Sequence, residues 1–157
     1  MSPAPEPKTI LVLCEGNHCR SPLAVALLRR ALGPGFTVES AGLAALDGIP
    51  AHPEAARLAA AHHLDLSGHA SRQLTPAMAL GADLILVMDR GQKAWCEAQA
   101  PSVRGRVFLL GQWRQPAPAE IADPHQLGPE AFRAAFETIH QCVADWIPRL
   151  LSERRSA

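Results

Sequence analysis

Two groups of residues in this sequence have the types and spacing to do chemistry. The first is Cys14-Glu15-Gly16-Asn17-His18-Cys19-Arg20-Ser21, which sets a thiol and a guanidinium at the two ends of a short polar segment. A thiolate is a strong nucleophile, and the planar fork of arginine holds two phosphoryl oxygens at once without losing its proton. Gly16 and Asn17 tolerate left-handed backbone, which lets a loop turn several N–H groups inward toward an anion. The second group is Asp123-Pro124, inside the loop-like stretch 116–129. A thiolate that displaces an alkoxide or phenolate from phosphorus needs a proton for the departing oxygen, and a carboxylic acid supplies one. By itself Asp-Pro is an ordinary turn former; beside a phosphate loop it reads as a general acid.

The elements around these residues follow from the apolar pattern. Residues 9–13, Thr-Ile-Leu-Val-Leu, form a continuous apolar run of strand formers, the pattern of a strand buried on both faces of a parallel sheet. Ser21-Pro22 reads as an N-cap with proline at the first helical position, and Leu23, Leu27, Leu28 and Leu32 recur at helical spacing up to Gly33. The polar segment 14–20 therefore joins the C-terminal end of a strand to the start of a helix. There unpaired N–H groups and a partial positive charge cradle a phosphate dianion without a metal and favour the thiolate of Cys14. Residues 36–41, 84–88 and 107–110 read as further strands, and residues 53–61, a short stretch from Thr75-Pro76, and 92–99 as helices. In 129–151, Phe132, Phe136, Ile139, Val143, Trp146 and Leu150 mark one face of a long helix. Strands alternating with helices predict one α/β domain over 9–151, a twisted parallel four-stranded sheet of flavodoxin-like or Rossmann-like kind with helices on both faces. Residues 1–8 read as a flexible tail and 152–157 as a C-terminal tail.

Composition limits what else the chain does. A length of 157 residues suits one domain with its own core, and a formal net charge of zero gives no overall field for nucleic acid or an acidic membrane. The leader has no signal-peptide pattern and no apolar run is long enough to span a bilayer, so a cytoplasmic chain with no membrane insertion is expected. The four cysteines contain no CxxC pair, and His52, His62, His63 and His140 show no ligand spacing and read as surface residues, so no metal is expected. Cys96 and Cys142 read as core thiols, and Trp95, Trp113 and Trp146 as core or groove residues.

The combination Cys-x-Gly-Asn-x-Cys-Arg-Ser has six fixed positions, a chance match in fewer than roughly one chain in ten thousand. From about Thr9 to Leu151 the sequence resembles the low-molecular-weight protein tyrosine phosphatases, with local matches at Ser40-Ala41-Gly42 and His69-Ala-Ser-Arg-Gln73. The resemblance implies Cys14 as nucleophile, Arg20 as phosphate clamp, Asp123 as general acid and no cofactor. It implies that Ser21 hydrogen-bonds the thiolate, and that Asn17, Ser40 and His69 hold the loop in shape. Leu46 and the Leu-Gly-Gln-Trp113 stretch are similar to the bacterial capsule and exopolysaccharide subgroup. That subgroup's usual partner is the tyrosine-phosphorylated tail of a membrane tyrosine autokinase; a monomer or weak dimer is expected.

Three positions depart from the family's pattern. His18 stands where phosphotyrosine enzymes usually carry an apolar residue and protein-arginine phosphatases carry threonine. His125 follows Asp-Pro where an aromatic wall residue is usual, and Glu15 puts a carboxylate into an anion loop, which requires its side chain to point away. Three other functions stand beside tyrosine dephosphorylation: protein-arginine phosphatase, thioredoxin-coupled arsenate reductase, and a phosphoprotein-binding module without turnover. Arsenate reductases need two further cysteines close together in mid-chain, and this chain offers only Cys96 there. Cys19 has two readings, a redox partner forming a reversible disulfide with Cys14 or a small residue packed under the loop.

Overall fold

The computed structural model describes residues 8–156. Strand β1 (Lys8–Cys14) is followed by α1 (Arg20–Leu32), β2 (Phe36–Gly42), α2 (Pro53–Ala61), α3 (Pro76–Gly81), β3 (Leu84–Val87), α4 (Arg90–Gln99), β4 (Val107–Leu109) and α5 (Pro129–Ser156). The four strands form a single parallel sheet in the order β2-β1-β3-β4.

Both faces of the sheet are covered, and β1 shows why. Ile10, Val12 and Cys14 point into one apolar cluster, built with Leu23, Leu27 and Leu28 of α1 and Phe132, Phe136, Ile139 and Val143 of α5. Leu11 and Leu13, the alternate residues, enter a second cluster with Ala79 of α3, Cys96 of α4 and Ile85 and Val107 of the neighbouring strands. A strand buried on both sides has no polar face to spare, hence the unbroken apolar run. The face expected for the last helix is the one that packs: Phe132, Phe136, Ile139, Val143, Trp146 and Leu150 are all buried. Trp146 also donates its indole N–H to the carbonyl of Leu110 at 2.8 Å. Cys96 and Cys142 lie in the core as expected. Trp95 is exposed and lines a groove with Cys96 and Leu74, whereas Trp113 is half-buried under the Arg149 guanidinium.

The ends of the fold differ from the sequence reading. The expected tail 1–8 falls outside the described residues except for Lys8, which is already strand, because its backbone pairs in register with Phe36. At the other end α5 does not stop at Leu151 but runs to Ser156, and Ala157 of the expected C-terminal tail lies outside the described residues. The helix also passes through Pro148, which removes one backbone donor; burial of Trp146 and Leu150 on either side of it holds the helix there.

β1 is the strand at which the connections diverge, β2 lying on one side and β3 on the other. Such a point leaves a crevice beyond the carboxyl end of the strand, where ligands of open α/β sheets bind. Residues 14–20 occupy it.

Candidate active site

The loop from Cys14 to Arg20 is shaped by one buried side chain, Asn17. Its backbone is left-handed at φ 57°, a conformation asparagine tolerates better than most residues. Its amide donates to the hydroxyls of Ser21 at 2.8 Å and Ser40 at 2.9 Å, and its side-chain oxygen accepts the N–H of Arg72 at 2.9 Å. The ring of His69 meets the Asn17 carbonyl at 2.6 Å. Three segments far apart in sequence thus converge on one residue, and Ser21, Ser40 and His69 all meet Asn17 directly. Gly42 belongs to the same frame, since a Cβ there would lie 2.7 Å from the Glu15 carbonyl oxygen. Only glycine lets the end of β2 come so close to the loop.

Ser21 does not cap α1. The helix starts at Arg20 with Cys19 as N-cap and no side-chain cap bond, because the Ser21 hydroxyl is committed elsewhere: it lies 3.0 Å from Cys14 Sγ while accepting from Asn17. Free of a side-chain cap, the helix start keeps its positive end for an anion. Cys14 is buried at the end of β1, and the Glu15 side chain is exposed, facing a groove shared with Leu43, Asp89 and Trp95 rather than the loop's interior.

Arg20 is 4% exposed and its donors are divided. Nη1 donates to the Ile121 carbonyl at 2.7 Å, Nη2 lies 3.7 Å from Asp123 Oδ2, and Nε is buried with no protein partner. A buried guanidinium N–H is not left unpaired without reason. Here the anchored end fixes the plane of the fork while the other edge stays available for two phosphoryl oxygens. Asp123 reaches the same place on an exposed loop, with its other carboxylate oxygen accepting the N–H of His125 at 3.1 Å.

Burial pushes the thiol of Cys19 up to about 12, aided by the nearby Cys14 and Asp123, so Cys19 is a neutral thiol at ordinary pH. His18, half-buried, is pulled below its usual value by desolvation first and by His125 and His52 next. Both expected groove positions are exposed: Leu46 by 76% of its surface, and His125 5.3 Å from the His18 ring between centroids. The Leu46 loop is tied to the phosphate loop through Leu43 N–H to the Cys14 carbonyl and Ala44 N–H to the Glu15 carbonyl.

Sequence reasoning missed four contributors. His52 is half-buried rather than a plain surface residue: its N–H donates to the His18 carbonyl and its ring stacks on Phe132 at 4.5 Å. It also stands 6.0 Å from His18 and 5.9 Å from His125, completing a trio of imidazoles at the mouth. The signal for it lay in His52-Pro53 as a helix start, since the Nδ1 of His52 caps α2 by accepting from Glu54. Arg72 and Ser71 act through backbone and side chain on Asn17, Ser40 and the 46–49 turn, and Ile121 contributes only a carbonyl, which no residue type announces. His62, His63 and His140 are exposed, as expected.

Known proteins match this arrangement closely. The family model described as low molecular weight phosphotyrosine protein phosphatase matches residues 9–156. The probable low molecular weight protein-tyrosine-phosphatase EpsP of Ralstonia nicotianae is 48% identical over 143 residues, 91% of this chain and 96% of that protein. Among solved structures, Wzb of Vibrio vulnificus in complex with benzylphosphonate superposes with a TM-score of 0.85 at 38% identity, covering 90% of this chain and 98% of its own. The YwlE arginine phosphatase of Geobacillus stearothermophilus superposes with a TM-score of 0.89 at 31% identity, covering 96% and 97%. With a buried thiol, a fixed guanidinium and a carboxylate converging at the end of β1, the chain belongs to the low molecular weight phosphotyrosine protein phosphatase family and is an enzyme of that kind.

Proposed function

We propose that this enzyme hydrolyses phosphotyrosine on protein through a phosphocysteine intermediate, with Cys14, Arg20 and Asp123 as its catalytic residues. The observation that carries the reading is the divided guanidinium of Arg20, anchored through Nη1 and open at Nε in a buried site beside the thiol. Cys14 Sγ attacks phosphorus in line, and the S–P bond forms as the ester P–O bond breaks. The leaving oxygen keeps the electron pair and takes a proton from Asp123. Arg20 and the amides of residues 15–20 hold the equatorial oxygens through a loose transition state. Water then attacks phosphorus, gives its proton to the Asp123 carboxylate and expels the Cys14 thiolate with inorganic phosphate. The short contact from Ser21 to Cys14 Sγ stabilises the thiolate as nucleophile and as leaving group.

The substrate side is formed by Leu46 and His125 as walls and His18 at the loop rim. The similarity to EpsP, Etp and Wzb supports a tyrosine-phosphorylated partner, the tail of a membrane tyrosine autokinase that controls capsule or exopolysaccharide export, met on the cytoplasmic side. Cys19 serves as resolving thiol: peroxide oxidises Cys14 to the sulfenic acid, and the Cys19 sulfur displaces hydroxide to give the disulfide, which a dithiol reduces. Among the described residues no helix is long and apolar enough to cross a membrane.

Parallel turnover assays on a phosphotyrosine peptide, a phosphoarginine peptide and arsenate with thioredoxin test the reading. Phosphotyrosine is expected to be turned over fastest, and Cys14→Ser to abolish turnover while still binding phosphate. Preference for phosphoarginine, or parent-rate hydrolysis of an aryl phosphate by Cys14→Ser, would overturn it.

A further inference from the structure

The mouth of the phosphate loop carries three side chains that make and break no bond in the proposed phosphoryl transfer. His18, Cys19 and His125 each bring one ligand atom, two imidazole nitrogens and one sulfur, within 4.8 Å of one another. Two histidines and one cysteine are the donor set of a borderline-soft divalent ion, and three protein ligands leave the fourth tetrahedral position open. We propose that His18, Cys19 and His125 form a binding site for a zinc-class divalent cation that caps the phosphate loop.

The geometry needs little adjustment. With metal–ligand bonds of about 2.0–2.3 Å, tetrahedral donors stand about 3.5 Å apart, so closing from 4.8 Å is a movement of about one ångström. His18 and Cys19 are consecutive on a loop fixed by Asn17, and His125 sits on the exposed acid loop, which supplies the movement. His52, the third imidazole of the trio, is a bystander. Its Nδ1 accepts the N–H of Glu54, so its neutral ring carries the proton on Nε2 and offers no lone pair to the ion. On binding, the Cys19 S–H bond breaks, its proton passes to water and the sulfur becomes a metal thiolate. That sulfur can then form no disulfide with Cys14, and the ion lies across the entrance a phosphoryl group must use. The site's existence does not depend on the phosphatase reading; only its inhibitory effect does.

The experiment titrates Co2+ and then Zn2+ into the full chain carrying Cys14→Ser, which removes the thiolate that any cysteine phosphatase would offer to zinc. Binding of one equivalent of Co2+ is expected, with a thiolate-to-cobalt charge-transfer absorption, a tetrahedral visible spectrum and displacement by Zn2+. Since loss of even an outer partner of a ligand weakens metal binding about 10–100-fold, His125→Ala and His18→Ala should each weaken it at least about tenfold. Adding Cys19→Ser should remove the charge-transfer band. His125 lies on an exposed loop, so its variant folds whether or not the Cys19 variant does. No binding once Cys14 is replaced, an octahedral spectrum without a thiolate band, or affinity unchanged by His125→Ala would each overturn the proposal. In the active parent enzyme, inhibition by Zn2+ should be reversed by a chelator and weakened by His125→Ala.

Discussion

The loop that carries Cys14 and Arg20 and the loop that carries Asp123 meet at one site and are held in opposite ways. Residues 14–20 are fixed from every side: Asn17 is fully buried and bonded to Ser21, Ser40 and Arg72, and its carbonyl meets His69. Among the described residues the Asp123 loop is held chiefly at its root, where buried Ile121 donates its N–H to the Met88 carbonyl and accepts from Arg20, with the 3.7 Å approach of Asp123 to Arg20 as a looser tie. Beyond that point Asp123, His125, Gln126 and Leu127 are exposed, with the Asp123–His125 turn and a Leu127 N–H to Pro124 carbonyl bond as local structure. An anion cradle acts through preorganised dipoles and loses power with every degree of freedom, whereas a proton donor must meet leaving groups of different shape. Rigidity and adaptability are placed where each is useful.

Arg20→Lys attacks the element both halves share. A lysine gives up the fork and the bond to Ile121 together, so kcat on an aryl phosphate should fall on the order of 10³-fold, a loss typical of removing an oxyanion donor. Asp123→Ala breaks the adaptable half alone. Turnover of an alkyl phosphate should drop about 10²-fold or more, and p-nitrophenyl phosphate, whose phenolate leaves unaided, far less. Its urea midpoint should shift little, since an exposed side chain contributes within about 0.5 kcal/mol. Asn17→Ala does the reverse. Losing a buried amide with three partners should destabilise the fold by about 2 kcal/mol in urea unfolding and lower kcat with both substrates equally. Were Asp123→Ala the more destabilising of the two, the contrast between the loops would fail.

The smallest effect concerns pH. Burial raises Cys19 from 9.0 to about 12, and Cys96 and Cys142 to about 11. For groups raised by folding, the neutral thiol is favoured in the native state, so their stabilisation is complete below pH 9 and is lost as pH rises through 11 to 12. Thermal unfolding should therefore show a falling Tm on that alkaline limb, less steep in Cys142→Ala. At neutral pH iodoacetamide should label Cys14 before the other three, as peptide mass mapping would show.

The legible parts of this molecule were those in which one residue type has one physical use. Apolar runs announced both-face burial of β1 and β3, and Leu23, Leu27 and Leu28 announced the inner face of α1. That Cys14, Arg20 and Asp123 would be candidates was legible because the chemistry proposed for them is carried by the side chain itself, and the fold brings Arg20 and Asp123 together. Ser21 misled because serine before proline is an ordinary cap signal, and here a tertiary demand from Asn17 and Cys14 prevails. Ile121 acts on the site through its backbone carbonyl, which every residue has, so no residue type betrays it, whereas His52 announced only its capping of α2 and not the ring contacts made across the fold. Lys8 and the last turn of α5 were lost to the usual ambiguity of element ends, where pairing with Phe36 and helix continuation past Leu151 decide.

The bond from Arg20 to the Ile121 carbonyl also encloses a long stretch of chain. It joins residues 101 positions apart, whereas the contacts that shape the cradle around Asn17 span 55 or fewer. Closure entropy grows with the length of chain enclosed, and synthesis delivers the N-terminal segments first. A chain emerging from the ribosome therefore has every residue of the phosphate cradle once Arg72 is out, some fifty residues before the acid exists to complete it. In that order of synthesis the residues of the anion cradle precede the carboxylate that faces it, and the α5 face that completes the core comes after both.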